Sequence, residues 1–350
     1  MGHILNERTT SEFSIETVKL RRVFRLDRRA RRDAGKLLVA LDDMDLQVRR
    51  GELFGCLGPN GAGKTTLIRI LATLLTPSGG RAFVEGFDVH RETHRVRPII
   101  NMVSGGETCG YGILTAMENL RLFTELYGIP WRIARPRVER MLEVVGLDKF
   151  KRVRVNKLST GLRQRVNFAR GFTTDPKVLF LDEPTTGLDV HSARNTRDFI
   201  RQWLAENPRK TILLTTHYMA EADELCDRVA IIDRGLMVAC DTPAALKKTV
   251  RRETALELTI SGVEPPPDKW KRLEGVVNLA VESNPLEKVT NVRVLLSDAG
   301  AGGMLIREIT DDGRRLLGLH TIEPTLEDVF IKLTGRRLSE SEPAPTAGGG

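Results

Sequence analysis

The run GPNGAGKTT at residues 58–66 carries the strongest chemical signal in the chain. It matches the pattern G-x-x-x-x-G-K-[ST]. Multivalent phosphate needs many donors at short range, and a glycine-rich turn lets the backbone aim its N–H groups inward. Gly58, Pro59, Asn60, Gly61, Ala62 and Gly63 form the expected cradle, with Thr66 closing the run. Lys64 is placed to reach the β- and γ-phosphates of a nucleotide, and the Thr65 hydroxyl to ligate Mg²⁺. A second signal is KVLFLDEPTTGLD at 177–189, an apolar run ending in two carboxylates. Asp182 is placed to hold Mg²⁺ or its water shell, and Glu183 to accept a proton from an attacking water. In KLSTGLRQRVNFARGF (157–172), Ser159, Thr160 and Gly161 open a helix whose N-terminus is an anion site. Alone, that stretch favours the reading of an ordinary serine-capped helix. His217 follows TILLTT directly. A lone histidine there is commonly structural, but beside a γ-phosphate its imidazole reaches both phosphate and water.

These residues need a sheet to hold them. GELFGCLG (51–58), RAFVEG (81–86), KVLFLD (177–182), TILLTT (211–216) and RVAIID (228–233) read as strands, alternating with helical patterns. The helical stretches include TTLIRILATLL (65–75), AMENLRLFTELYG (116–128) and ARPRVERMLEVVG (134–146). This alternation predicts α/β construction, with ligands at the carboxyl edge of the strands. Composition shifts near residue 250. ALELTI (255–260) and NVRVLLS (291–297) read as strands, Pro265–Pro267 as a loop and TLEDVFIKLTG (325–335) as an amphipathic helix. The expected organisation is a leader over 1–16, an α/β domain over 17–250, a small α+β domain over 254–335 and a disordered tail over 336–350.

The chain has 350 residues, 41% hydrophobic and 29% charged, enough to bury a core in about two domains. Its net charge of +8 suggests nucleic acid until the charge is located. Residues 19–36 hold nine Lys/Arg against Asp27 and Asp33, which leaves the remainder nearly neutral. A solvated loop is the plain reading of that patch. Contact with an anionic membrane surface is the functional one, at about 1 kcal/mol per basic residue. Nucleic acid is not expected, because only Phe24 supplies an aromatic within the patch. Cys56, Cys109, Cys226 and Cys240 fall at no metal-ligand spacing and read as reduced cytosolic thiols. The N-terminus has no apolar signal region, and no apolar run is long enough to span a bilayer.

The ordered set resembles the ATPase subunit of ABC transporters. GPNGAGKTT corresponds to Walker A, LSTGLRQ to the signature, VLFLDE to Walker B, GLD with Asp189 to the D-loop, and TTH to the switch histidine. THYMAEADELCDRVAIIDRG (216–235) and TLEDVFIKLTG look like the drug- and lipid-exporting branch. The resemblance implies a P-loop cassette with a mixed sheet and a helical subdomain. It implies ATP and Mg²⁺ as cofactors, and Glu183, His217 and Lys64 as the catalytic group. A second cassette, a homodimer in preference to a heterodimer, would bring Ser159 and Gly161 over the γ-phosphate held by Lys64. A separate polytopic permease would place the chain on the cytoplasmic face of the cell membrane.

Three departures accompany the match. The signature reads LSTGL where LSGGQ is commonest. Gly105 stands where the family's glutamine is expected, its role vacant or passed to Glu107. Phe24 fits the adenine-stacking aromatic, but its distance from Lys64 implies an insertion. The rival from another class, a soluble ABC-type ATPase acting on ribosomes or nucleic acid, usually has two cassettes or a long coiled coil, and neither is found. A nucleotide-gated regulatory module with little turnover gains weight only from Gly105. The C-terminal domain is open to two readings, a dimer contact and a regulatory cap.

Overall fold

The structure, a computed structural model, describes residues 12–25, 37–105, 110–250, 254–262, 268–284, 286, 288–297, 300–322 and 324–335. Arg28, Arg29, Arg31 and Arg32 of the basic patch, Glu107, Cys109, the Pro265–Pro267 loop and the 336–350 tail lie outside them.

The chain opens with two long strands, β1 (Phe13–Arg25) and β2 (Leu37–Arg49), paired antiparallel. Residues 13–16 of the expected leader are therefore strand. Ser14 and Ile15 are buried, and Ile15 pairs with Val84 of a neighbouring strand. In β2, Leu41, Met44, Leu46 and Val48 face inward while charged neighbours face out, the pattern of a half-buried strand. There follow β3 (Leu53–Leu57), α1 (Lys64–Leu71), β4 (Gly79–Val84), β5 (Phe87–Asp88), α2 (Thr93–Val96) and β6 (Ile100–Ser104). Next come α3 (Ala116–Leu126), α4 (Trp131–Val144), α5 (Thr160–Thr173), β7 (Val178–Asp182), α6 (Val190–Glu206) and β8 (Thr211–Thr216). The first unit ends with α7 (Met219–Leu225), β9 (Arg228–Asp233), β10 (Leu236–Asp241) and α8 (Pro243–Lys248).

Two sheets result, an antiparallel one ordered β2-β1-β4-β5 and a mixed one ordered β10-β9-β3-β8-β7-β6. In the second, only the β9–β10 pair is antiparallel. β3, β7 and β8 are buried along their whole length, as continuous apolar strands of a covered parallel sheet must be. One core lies between the two sheets and includes Leu67, Ile68, Ile70 and Leu71 of α1. Each of those side chains contributes about 1.5–3 kcal/mol of burial, which anchors the start of the helix that carries Lys64. The other core covers the opposite face of the mixed sheet and takes in α3 to α6. Helix α3 starts on a capping box, with Thr115 accepting from Glu118 N and Glu118 accepting from Thr115 N.

Beyond residue 250 the chain forms β11 (Thr254–Ser261), β12 (Val276–Asn284), β13 (Val289–Leu296), α9 (Gly300–Asp311), β14 (Leu316–Ile322) and α10 (Leu326–Thr334). The strands make an antiparallel sheet ordered β12-β13-β11-β14, with its own core of Leu258, Trp270, Val292 and Leu305. Helix α10 does something different. It packs against α7 and α8, and its Leu326, Val329 and Phe330 belong to the same core as Leu225, Leu246 and Val250. Lys332 Nζ donates to Thr249 O at 2.8 Å. The helix is tied back to its sheet by Arg293 of β13. This guanidinium donates to both Asp328 oxygens at 2.7 and 2.8 Å and to Thr325 Oγ1 at 2.9 Å. Among the described residues no helix is long and apolar enough to cross a membrane.

Candidate active site

The carboxyl ends of three adjacent parallel strands build the site: β3 leads into the glycine loop, β7 ends at Asp182, and β8 lies between them. The loop requires its glycine at position 63. Gly63 has φ of 107°, and a Cβ there would stand 2.4 Å from Ala40 O. Only glycine tolerates both that dihedral and that approach. Lys64, the first residue of α1, is 4% exposed and donates to Gly58 O at 2.6 Å and Pro59 O at 3.0 Å. Burial lowers its pKa, and the carboxylates of Glu183 and Asp182 oppose that shift.

Thr65 Oγ1 donates to Asp182 Oδ1 at 3.2 Å, and the Thr215 hydroxyl donates to the same oxygen. Glu183 has a positive φ of 52°, a left-handed conformation unusual for any residue with a Cβ. Its N–H donates to Thr215 O at 3.0 Å, which fixes this turn out of β7. Such local strain costs on the order of 1–3 kcal/mol and clusters at functional sites. The carboxylate faces Lys64 Nζ at 3.8 Å and His217 Nδ1 at 3.1 Å, both through Oε1. Thr186 Oγ1 donates to Oε2 at 3.1 Å. The His217 imidazole, 3.1 Å away, is the chief cause holding the Glu183 carboxyl below the usual glutamate range; burial opposes it. The geometry therefore keeps the Glu183 carboxylate ionised beside a buried ammonium, an arrangement able to take a proton from water.

Lys64, Thr65, Asp182, Glu183 and His217 thus come together. Ser159, Thr160 and Gly161 do not join them. Ser159 caps α5 by accepting from Leu162 N at 3.3 Å, Ser159 and Thr160 are exposed, and a Cβ on Gly161 would meet open space. Asp189 caps α6, accepting from Ser192 N at 2.9 Å and Ser192 Oγ at 2.6 Å. Arg165 of α5 donates to the same Ser192 Oγ at 2.8 Å, so the signature helix and the D-loop are tied within one chain. That link was not read from the sequence, since nothing local pairs residue 165 with 192. Phe24 is partly exposed on β1, with the Arg22 guanidinium 4.5 Å from its ring centre.

Gly105 proves to be a packing position. Its N–H donates to Asp182 O at 2.7 Å, and a Cβ there would stand 2.0 Å from Glu183 O. A glutamine at residue 105 cannot sit on this backbone. We expect Gly105→Gln to lower stability by about 1–3 kcal/mol and to slow turnover, read by thermal unfolding and phosphate release. A gain in turnover would show that the position is a vacant glutamine after all.

Residues 41–186 match the ABC transporter family. The daunorubicin resistance ATP-binding protein DrrA2 of Streptomyces coeruleorubidus is 38% identical over 87% of this chain and 92% of its own length. A solved ATP-binding subunit of an ABC transporter superposes with a TM-score of 0.59 at 26% identity, covering 67% of this chain and 92% of that one. A dimeric ATP-binding cassette in a post-hydrolysis state with ADP and Pi has a TM-score of 0.58 at 22% identity, covering 65% and 98%, a likeness of fold alone. The α/β cassette fold expected from the motifs is the fold observed, with a mixed sheet, covering helices and a further small sheet. With a relative matched over nearly its whole length and the phosphate loop facing paired carboxylates at one sheet edge, the chain belongs to the ATP-binding subunits of ABC transporters and is an ATPase.

Proposed function

We propose that this ATPase drives export of the drug-resistance kind, coupling closure of two cassettes to a separate polytopic permease at the cytoplasmic face of the cell membrane. The observation that carries this reading is the convergence of Lys64, Asp182, Glu183 and His217 in a chain similar to a daunorubicin resistance protein over almost all of that protein. ATP lies along the loop from Gly58 to Thr66, its outer phosphates taking the Lys64 ammonium, with Phe24 offering a π face to the adenine. Thr65 and Asp182 place two hard oxygen donors side by side, which fits Mg²⁺. When bound, that ion supplies charge neutralisation on the phosphates.

Glu183 orients a water and takes its proton as the water oxygen attacks the γ-phosphorus. The bond from that phosphorus to the bridging oxygen breaks, and ADP and phosphate leave. His217 steadies Glu183 from the end of β8. In the closed pair, exposed Ser159 and half-buried Gly161 of one copy present the N-terminus of α5 to the γ-phosphate held by the other. A homodimer is the simpler assembly for a chain that carries both halves of such a site.

For the permease we assign a groove of 440 Å³ lined by Leu74, Arg97, Leu126 and Tyr127. Leu74 and Leu126 are 66% and 65% exposed there, an apolar surface suited to a protein contact. Affinity purification of the tagged chain from solubilised native membranes tests the reading. A stoichiometric polytopic protein, released by Leu126→Glu, is expected; ribosomal proteins or nucleic acid in its place would overturn it. The basic segment is assigned to anionic lipid. Replacing Arg28, Arg29, Arg31 and Arg32 by Ala should weaken sedimentation with anionic liposomes, and unchanged binding removes that role.

A further inference from the structure

Glu221 is a buried acid that the hydrolytic chemistry above does not use. It lies in the first turn of α7, four residues after His217, and is 3% exposed. Thr185 Oγ1 donates to its Oε1 at 3.0 Å. Glu221 Oε2 has no hydrogen-bond partner among the described residues. A carboxylate with one oxygen dry and unpaired is costly, and burial accordingly raises the pKa of this group.

The Thr185 contact gives the acid its meaning. Thr185 lies two residues beyond Glu183, and the helix that carries Glu221 begins two residues after His217. The Glu221 side chain therefore ties the turn that aims the base to the segment that carries the histidine. Those two segments also meet through Glu183 N and Thr215 O, so the carboxyl adds a second tie between them. We propose that Glu221 is a positioning residue for hydrolysis, a brace that sets Glu183 and His217 relative to each other through Thr185.

The inference rests on the assignment of Glu183 and His217 given above. A brace of this kind acts by shape and hydrogen bonding, so Gln, which keeps the acceptor and the size, should serve where Ala does not. The experiment measures kcat and KM for ATP in E221A, E221Q and T185V, each first checked for folding by circular dichroism. Misplacing a base by an ångström can cost about 100-fold, and a loosened brace is expected to cost about tenfold or more. In E221A and T185V, kcat should fall by that factor with KM nearly unchanged, and E221Q should recover most of it. Any other pattern among folded variants overturns the proposal. If E221A does not fold, T185V with a wild-type kcat is enough to do so. E183Q is run in parallel: its turnover at the wild-type rate would instead remove the assignment of the base, whatever Glu221 does.

Discussion

Replacing Glu183 by Gln is expected to reduce turnover by about 10²–10⁴-fold while leaving ATP binding intact. The amide keeps the size of the side chain and its approach to His217, but it cannot accept the proton. Lys64 and the glycine loop, to which we assign the phosphates, are untouched. If closure buries the nucleotide between two cassettes as proposed, the variant should accumulate as an ATP-bound dimer, seen by gel filtration with retained nucleotide. Normal turnover would exclude Glu183 as the base. The sign of the pH dependence follows from the same contact. As the proposed base Glu183 must be ionised, so the rate is expected to fall as pH drops through its lowered pKa. His217→Ala removes the leading cause of that lowering, and the acid limb of the kcat profile should move to higher pH.

Asp328→Ala should destabilise the chain by about 3–5 kcal/mol, read by denaturant unfolding. Asp328 is fully buried and bidentate with Arg293, and it accepts from Thr325 N at 2.7 Å in the capping box of α10. Removing one member of a buried pair leaves the other charge uncompensated, which is far costlier than the pair is stabilising. Glu327, 3.3 Å from Arg293, and Thr325 soften the loss. Adding Arg293→Met should recover part of the stability, since no buried charge then remains. A double variant weaker than the sum of both singles would show that the two side chains do not act as a pair.

The site was legible because its chemistry is local. Gly58 to Thr66 and the run into Asp182-Glu183 each announce themselves within a dozen residues, and the apolar runs before them identify the strands that carry them. TILLTT and RVAIID match β8 and β9 to the residue. Less was visible where position depends on partners distant in sequence. The β1–β2 pair begins inside what reads as a loose leader, because its apolar alternation is diluted by charge. Helix α4 begins at Trp131, ahead of the ARPR segment, and carries Pro136 within it. Proline there removes a donor but does not stop a helix packed on both neighbours. Gly105 reads as a missing side chain, whereas the space for one is closed by the Glu183 carbonyl. Glu221 did leave a trace: with Ala222 and Leu225 it falls on one apolar face of α7, where an acid has no business unless something needs it.

Helix α10 bears on how the protein is made. Synthesis runs from the N-terminus, and domains tend to close as they emerge. Here Leu225, Leu246 and Val250 wait for Leu326, Val329 and Phe330, which reach the ribosome exit only after the whole intervening sheet. Until then the face of the nucleotide-binding unit formed by α7 and α8 lacks its covering helix. A nascent chain halted anywhere before residue 326 therefore presents an open apolar seam to chaperones and proteases.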